Sequence, residues 1–159
     1  IREILLDKSH AEMSSWTELL LYEAARAQMI DELILPALKE RKVIACDRLY
    51  DSTTAYQGYG RGLDLDKVSQ ANMLGTQGLA PDLTFLIDLE PAVALKRSQK
   101  SCFKADRMES EGVEFQEKIR NGYLEIAQKE PGRIITLDGD RPIYTIHQEI
   151  WHNYSSRFL

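Results

Sequence analysis

Short apolar runs alternating with long amphipathic helices predict an α/β fold with a parallel sheet covered by helices on both faces. Three observations carry this prediction. Val43 to Cys46, Leu83 to Leu89 and Arg133 to Leu137 are apolar runs too short for most helices and bounded by turn signals. Long segments with helical periodicity lie between and around them. The first run also hands over at Asp47-Arg48 to a loop rich in polar groups, and open α/β sheets bind ligands at such carboxyl ends.

The elements follow in order. Ile1 to Leu6 reads as the end of a helix, and Asp7 to Met13 as a polar connector. Ser15 and Glu18 have capping-box spacing, so a helix is expected from about Ser15 to about Arg41, bent near Pro36. Its inward stripe is Leu19, Tyr22, Met29, Leu33 and Ala37, and Tyr22 shares a face with Arg26. Val43 to Cys46 reads as a buried strand. Asp64 to Thr76 is a helix loosened by Gly75 and Gly78, and Leu83 to Leu89 a second buried strand. Pro91 opens a short helix through Ser98. The polar, basic stretch from Gln99 to Gly112 precedes a helix from Val113 to Lys129, with Phe115, Ile119, Leu124 and Ala127 inward. Arg133 to Leu137 is a third strand, and Pro142 to about Tyr154 a terminal helix. Three strands make a thin sheet, and the chain opens at Ile1 as if in mid-domain. Two further strands are therefore expected upstream.

Length and composition narrow the possibilities. The 159 residues fit one domain, 1–159, with a sizeable core. A net charge of −5 gives no general attraction to nucleic acid or anionic lipid, so any phosphate site is local. No apolar run approaches the ~20 residues of a membrane helix. Cys46 and Cys102 form neither metal spacing nor a disulfide framework, which makes a reducing cytoplasm the expected compartment.

The loop from Asp47 to Gly62, DRLYDSTTAYQGYGRG, pairs an arginine and an acid with many neutral hydrogen-bonding groups. Arg48 suits a phosphate through its planar fork. Asp47 suits the orientation of that arginine or a water of a Mg²⁺ shell, since magnesium usually keeps several waters. A plain surface ion pair is the competing reading. Tyr22 with Arg26 offers a flat ring and a directed donor, as a neutral base requires, although a core aromatic explains Tyr22 alone. Arg26 toward an apolar stripe needs a partner, because a lone buried charge is costly. Lys96, Arg97, Lys100, Lys104 and Arg107 make a basic segment from the end of the Pro91 helix into the stretch that follows it. A solvated loop explains them, and so does cationic stabilisation of a phosphoryl group in transfer.

Asp47 to Gly62 resembles the signature of bacterial thymidylate kinases. The helix TELLLYEAARAQ (Thr17 to Gln28), Pro81-Asp82-Leu83-Thr84, and DRMESEGVEFQEKIRNGYLEIA (Asp106 to Ala127) are similar to further parts of that family, in its order. The resemblance implies a P-loop, nucleoside monophosphate kinase fold with a mobile LID at about 97–112. It implies phosphorylation of dTMP by ATP with Mg²⁺, in dTTP synthesis, by a cytoplasmic homodimer that binds no nucleic acid or membrane. By the same resemblance Arg48 binds the acceptor phosphate and Tyr22 stacks on thymine. Arg26 reaches the base carbonyl, while Ser52, Thr53 and Gln57 lie near the base, and Tyr56 lies beside the sugar. Arg107 is the first choice for the catalytic LID arginine, with Lys104 and Lys100 behind it; Arg97 covers the adenine, and Asp106 and Glu109 hold the arginines. Arg48 and Asp47 complete the catalytic set.

The chain departs from the family pattern at Leu49, at Met29 and in the modest arginine content of Lys100 to Lys104. No GxxxxGK[ST] occurs in these 159 residues. The phosphate loop is therefore expected in about 50 residues upstream, the size of a strand–loop–helix–strand unit. Two alternatives stand beside this reading: a non-catalytic nucleotide-binding relative without the loop, and a kinase for another nucleoside monophosphate.

Overall fold

A computed structural model describes residues 1–99 and 111–159. Their contacts gather into two compact units. The first comprises Ile1–Ala80 with residues 111–122, the second residues 81–99 with Tyr123–Leu159.

The first unit is helical. Helix α1 (Arg2–Leu6) buries Leu5, and α2 (Ser15–Met29) starts where the Ser14 hydroxyl accepts from the Thr17 amide at 3.1 Å. The cap is thus Ser14, one residue before the expected Ser15. Glu18 is buried, and Gln57 donates to it. A π-helical turn, Ile30–Ile34, joins α2 to α3 (Leu35–Lys39). Pro36 accounts for it: the residue has no amide to donate, and its ring crowds the carbonyl four residues back. The Leu35 amide accordingly bonds to the Ile30 carbonyl, five back. The wider turn rotates the stripe, so Ile30 and Ile34 are buried with Leu19 while Leu33, expected inside, is 65% exposed.

Helix α4 (Tyr50–Thr53) runs into a second π segment, Thr54–Gly60, closed by the Arg61 amide on the Tyr56 carbonyl at 2.9 Å. Helix α5 (Leu65–Thr76) has Asp64 as its cap, accepting from the Lys67 amide, and ends at Gln77 in the left-handed conformation. It packs along α2. Leu19, Ile30, Ala55, Val68 and Ile119 form the apolar centre of this unit.

Val43 to Cys46 is not a buried strand. It has no ladder partner, Val43 is 76% exposed, and Cys46 is exposed as well. Apolar composition makes a strand only when a neighbour supplies hydrogen bonds on its flank. Among the described residues none does, so the expected three strands are two.

The second unit holds both strands, β1 (Thr84–Asp88) and β2 (Ile134–Asp138), paired in parallel from Thr84 opposite Ile134 to Asp88 opposite Asp138. Helix α6 (Pro91–Gln99) follows β1, with Pro91 at its start as expected, and α8 (Ile143–Phe158) follows β2. Helix α7 (Val113–Lys129) matches the expected bounds; buried Ile119 and half-buried Phe115 on its first part belong to the first unit, and buried Ile126 and Ala127 with half-buried Leu124 to the second. Strand β1 is not the fully buried strand its composition suggests, since Ile87 is 54% exposed. Ile134 and Leu137 of β2 are buried, with Ile146 of α8. The architecture is α/β with a parallel sheet.

Candidate functional site

In the first unit, polar side chains from α2, α4, the π segment and α5 converge where the helical pattern alone puts core. Arg26 is 8% exposed, on the inward face of α2. Its guanidinium pairs with Glu23, one turn earlier on α2. Its Nη2 donates to Thr53 Oγ1 at 2.6 Å, and its Nη1 lies 3.5 Å from Asn72 Oδ1. Asn72 in turn donates to Thr54 Oγ1 at 2.9 Å. The partner that a buried arginine needs is therefore a carboxylate of the same helix. Burial pushes the Glu23 carboxyl above its usual range, and the hydrogen bond and charge of Arg26, with a smaller contribution from Thr53, only partly oppose it.

A second cluster lies on Glu18, 1% exposed. Gln57 Nε2 donates to Glu18 Oε1 at 2.8 Å. Arg61 bonds both carboxylate oxygens at 3.2 Å, and its Nη1 donates to Glu111 at 2.5 Å. Burial alone would lower the Arg61 pKa, but these two acids hold it above its ordinary value.

Arg48 has φ +69°, the left-handed region that costs a non-glycine residue about 1–2 kcal/mol. Such outliers persist where surrounding structure demands them, often at functional sites. Its guanidinium carbon lies 5.6 Å from the centroid of the Tyr56 ring, and Nη1 lies 3.5 Å from the phenol oxygen. Tyr56 meets Phe115 edge to face at 6.4 Å, and Phe115 carries Arg61 over its own ring at 4.7 Å. Alternating cations and rings thus set the direction of Arg48. Asp47, beside it, is an exposed carboxylate in a bend.

The residues expected at the site fall as follows. Arg26 and Thr53 are joined directly, Arg48 and Tyr56 are joined directly, and Gln57 is held by Glu18. Tyr22 and Ser52 are half-buried on α2 and α4. Arg97 lies in the second unit, donating to the Gly139 carbonyl at 2.9 Å and to Asp140 at 2.6 Å. It borders a cleft of about 340 Å³ lined by Ile87, Gly139, Ile143, Ile146, His147 and Ile150. Lys100, Lys104, Asp106, Arg107 and Glu109 lie outside the described residues.

Sequence reasoning missed Glu18, Glu23, Arg61, Asn72 and Phe115 as site-shaping residues. A signal existed for Glu23: an acid three residues before an inward arginine shares its face. No group of three or more His, Cys, Asp or Glu that could hold a metal occurs among the described residues. No helix among the described residues is long and apolar enough to cross a membrane.

Comparison with known proteins gives a consistent picture. The family model described as Thymidylate kinase matches residues 1–150. The thymidylate kinase of Pelobacter propionicus is 46% identical over 155 residues, covering 94% of this chain and 71% of the relative. That of Geotalea daltonii is 48% identical over 145 residues, covering 87% and 68%. A crystal structure of thymidylate kinase from Ehrlichia chaffeensis matches with a TM-score of 0.71 at 31% identity, over 90% of this chain and 66% of that one. The chain thus spans only part of the length of the proteins it matches.

Proposed function

The chain belongs to the thymidylate kinase family, and from that premise we propose that the protein carrying it transfers the γ-phosphoryl group of ATP to dTMP. The products are dTDP and ADP. The observation that carries this most directly is the 2.6 Å contact between Arg26 and Thr53. These residues come from separate helices, and the family resemblance gives both to the same base. A buried donor cluster suits a neutral carbonyl-bearing base, and the ring of Tyr22 on the same helix suits stacking.

In this reading Arg48 binds the acceptor phosphate. Its left-handed backbone and the Tyr56 ring beneath its guanidinium support a pre-set direction, and pre-set charge lowers the cost of binding. Tyr56 stands beside the sugar, and Ser52 and Gln57 stand near the base. Asp47 would hold a water of a Mg²⁺ shell, and the ion would neutralise charge on the ATP phosphates. Residues 97–112 act as the LID: Arg97 covers the adenine, while Lys100, Lys104 and Arg107 draw charge toward the transferred phosphoryl group. Arg107 is the catalytic choice, because transfer depends mainly on positioning and cationic stabilisation. The protein works in the cytoplasm as a homodimer. Exposed Trp16 and Leu20 on α2 and Met73 and Leu74 on α5 support a helical dimer face.

A coupled assay of ADP release on the full-length protein tests the proposal, with dTMP, dUMP, dCMP and AMP as acceptors. Preference for dTMP is expected. Preference for dCMP or AMP would remove Tyr22 and Arg26 from thymine recognition, and no turnover with any acceptor would remove the kinase activity.

A further inference from the structure

Glu23 is 6% exposed, and only one of its carboxylate oxygens is engaged, by Arg26. The other, Oε2, has no hydrogen-bond partner. It lies against Gly75 of α5, where an added Cβ would collide with it. Shape, not a hydrogen bond, holds this oxygen in place. The arginine it faces is fixed by three residues on three helices: Glu23 on α2, Thr53 on α4 at 2.6 Å and Asn72 on α5 at 3.5 Å. A guanidinium is planar, so anchors on several sides fix its plane as well as its position.

We propose that Glu23, seated in the space left by the absent side chain of Gly75, is a positioning residue that sets how Arg26 presents its guanidinium to the base. This rests on the dTMP reading above. The charge balance explains the choice of an acid. An unpaired buried arginine would favour an anion or swing toward water. Paired with Glu23 it becomes a locally neutral donor group, matched to the neutral carbonyl of a pyrimidine. Glu23 touches no reacting atom and acts only through Arg26, so its loss weakens acceptor binding without slowing transfer.

Steady-state kinetics of the full-length protein with dTMP and ATP test this through Glu23→Ala, Glu23→Gln and Gly75→Ala. Glu23→Ala is expected to raise KM for dTMP by about tenfold, near the worth of one charge-assisted hydrogen bond, with kcat within about twofold. KM for ATP stays unchanged. Glu23→Gln keeps volume and an acceptor oxygen but leaves the arginine's charge unbalanced, and recovers only part of the dTMP KM. Gly75→Ala crowds Oε2 and raises KM for dTMP as Glu23→Ala does. A purely structural role would lower the melting temperature of all three variants and leave KM alone, which overturns the proposal. If Glu23→Ala does not fold, the other two decide: Gly75→Ala with wild-type KM, or Glu23→Gln with KM as poor as a total loss, also overturns it. A wild-type protein that ignores dTMP defeats the functional reading and this inference together. A wild-type protein that uses dTMP beside variants of unchanged KM defeats the inference alone.

Discussion

Glu18 and Arg61 form a two-point ion pair, Nε to Oε1 and Nη2 to Oε2, each at 3.2 Å. The pair joins the first turn of α2 to the end of the glycine-rich loop, two segments that the chain separates by more than forty residues. Glu18 also holds Gln57, and Arg61 also holds Glu111, so the pair is the centre of a four-residue network. A buried charge pair contributes little net energy against an apolar replacement, but breaking it from one side strands a charge.

Glu18→Ala is therefore expected to destabilise the fold by about 1–3 kcal/mol, because Arg61 keeps only Glu111 and Gln57 loses its acceptor. Urea denaturation of the variant measures this. A loss below about 1 kcal/mol, the range of exposed pairs, would show the network to be effectively solvated.

Arg48→Ala is expected to weaken dTMP binding roughly 10–100-fold, as the loss of a charged hydrogen bond of about 1.5–3 kcal/mol requires. Stability should change little, since Arg48 is exposed and its left-handed backbone strain stays with alanine. Calorimetric titration with dTMP checks the first point, and wild-type affinity there would take the phosphate away from Arg48.

For Arg107→Ala the expectation is a large fall in kcat with nearly unchanged dTMP affinity, the pattern of a contact made only in the transition state. Turnover equal to wild type would remove this residue from the mechanism and turn attention to Lys100 and Lys104.

Gly122→Ala tests the packing of α7. An added Cβ would lie 2.7–2.8 Å from three atoms of the Tyr59 side chain. Overpacking costs about 1–3 kcal/mol, and better helix propensity returns up to about 1 kcal/mol. A net loss near 1–2 kcal/mol is expected in thermal or chemical unfolding, and a stabilised variant would mean that Tyr59 moves aside freely.

Much of the helical scaffold is legible in the sequence. The bounds of α7, Pro91 at the head of α6 and Asp64 at the head of α5 follow from local rules of periodicity and capping. The loop expected from Asp47 to Gly62 is, by contrast, helical from Tyr50 to Gly60, so Tyr56 meets Arg48 from a helix. The errors share a cause too. Val43 to Cys46 was expected in a sheet from its composition, yet a strand depends on a neighbour that composition does not name. The Leu33 stripe failed because the π turn ahead of Pro36 rotated the face by one residue.

The sequence by itself determined where α5, α6 and α7 begin, which family the loop and its flanking helices resemble, and that an inward arginine at position 26 needed a partner. Only the tertiary structure decided that the partner is Glu23, that Gly75 makes room for it, and that Thr53 and Asn72 complete the anchor. Local propensities act over a few residues, so they can be read along the chain. A buried charge is satisfied by whatever packing brings within about 3 Å, and that depends on how helices far apart in sequence are laid together.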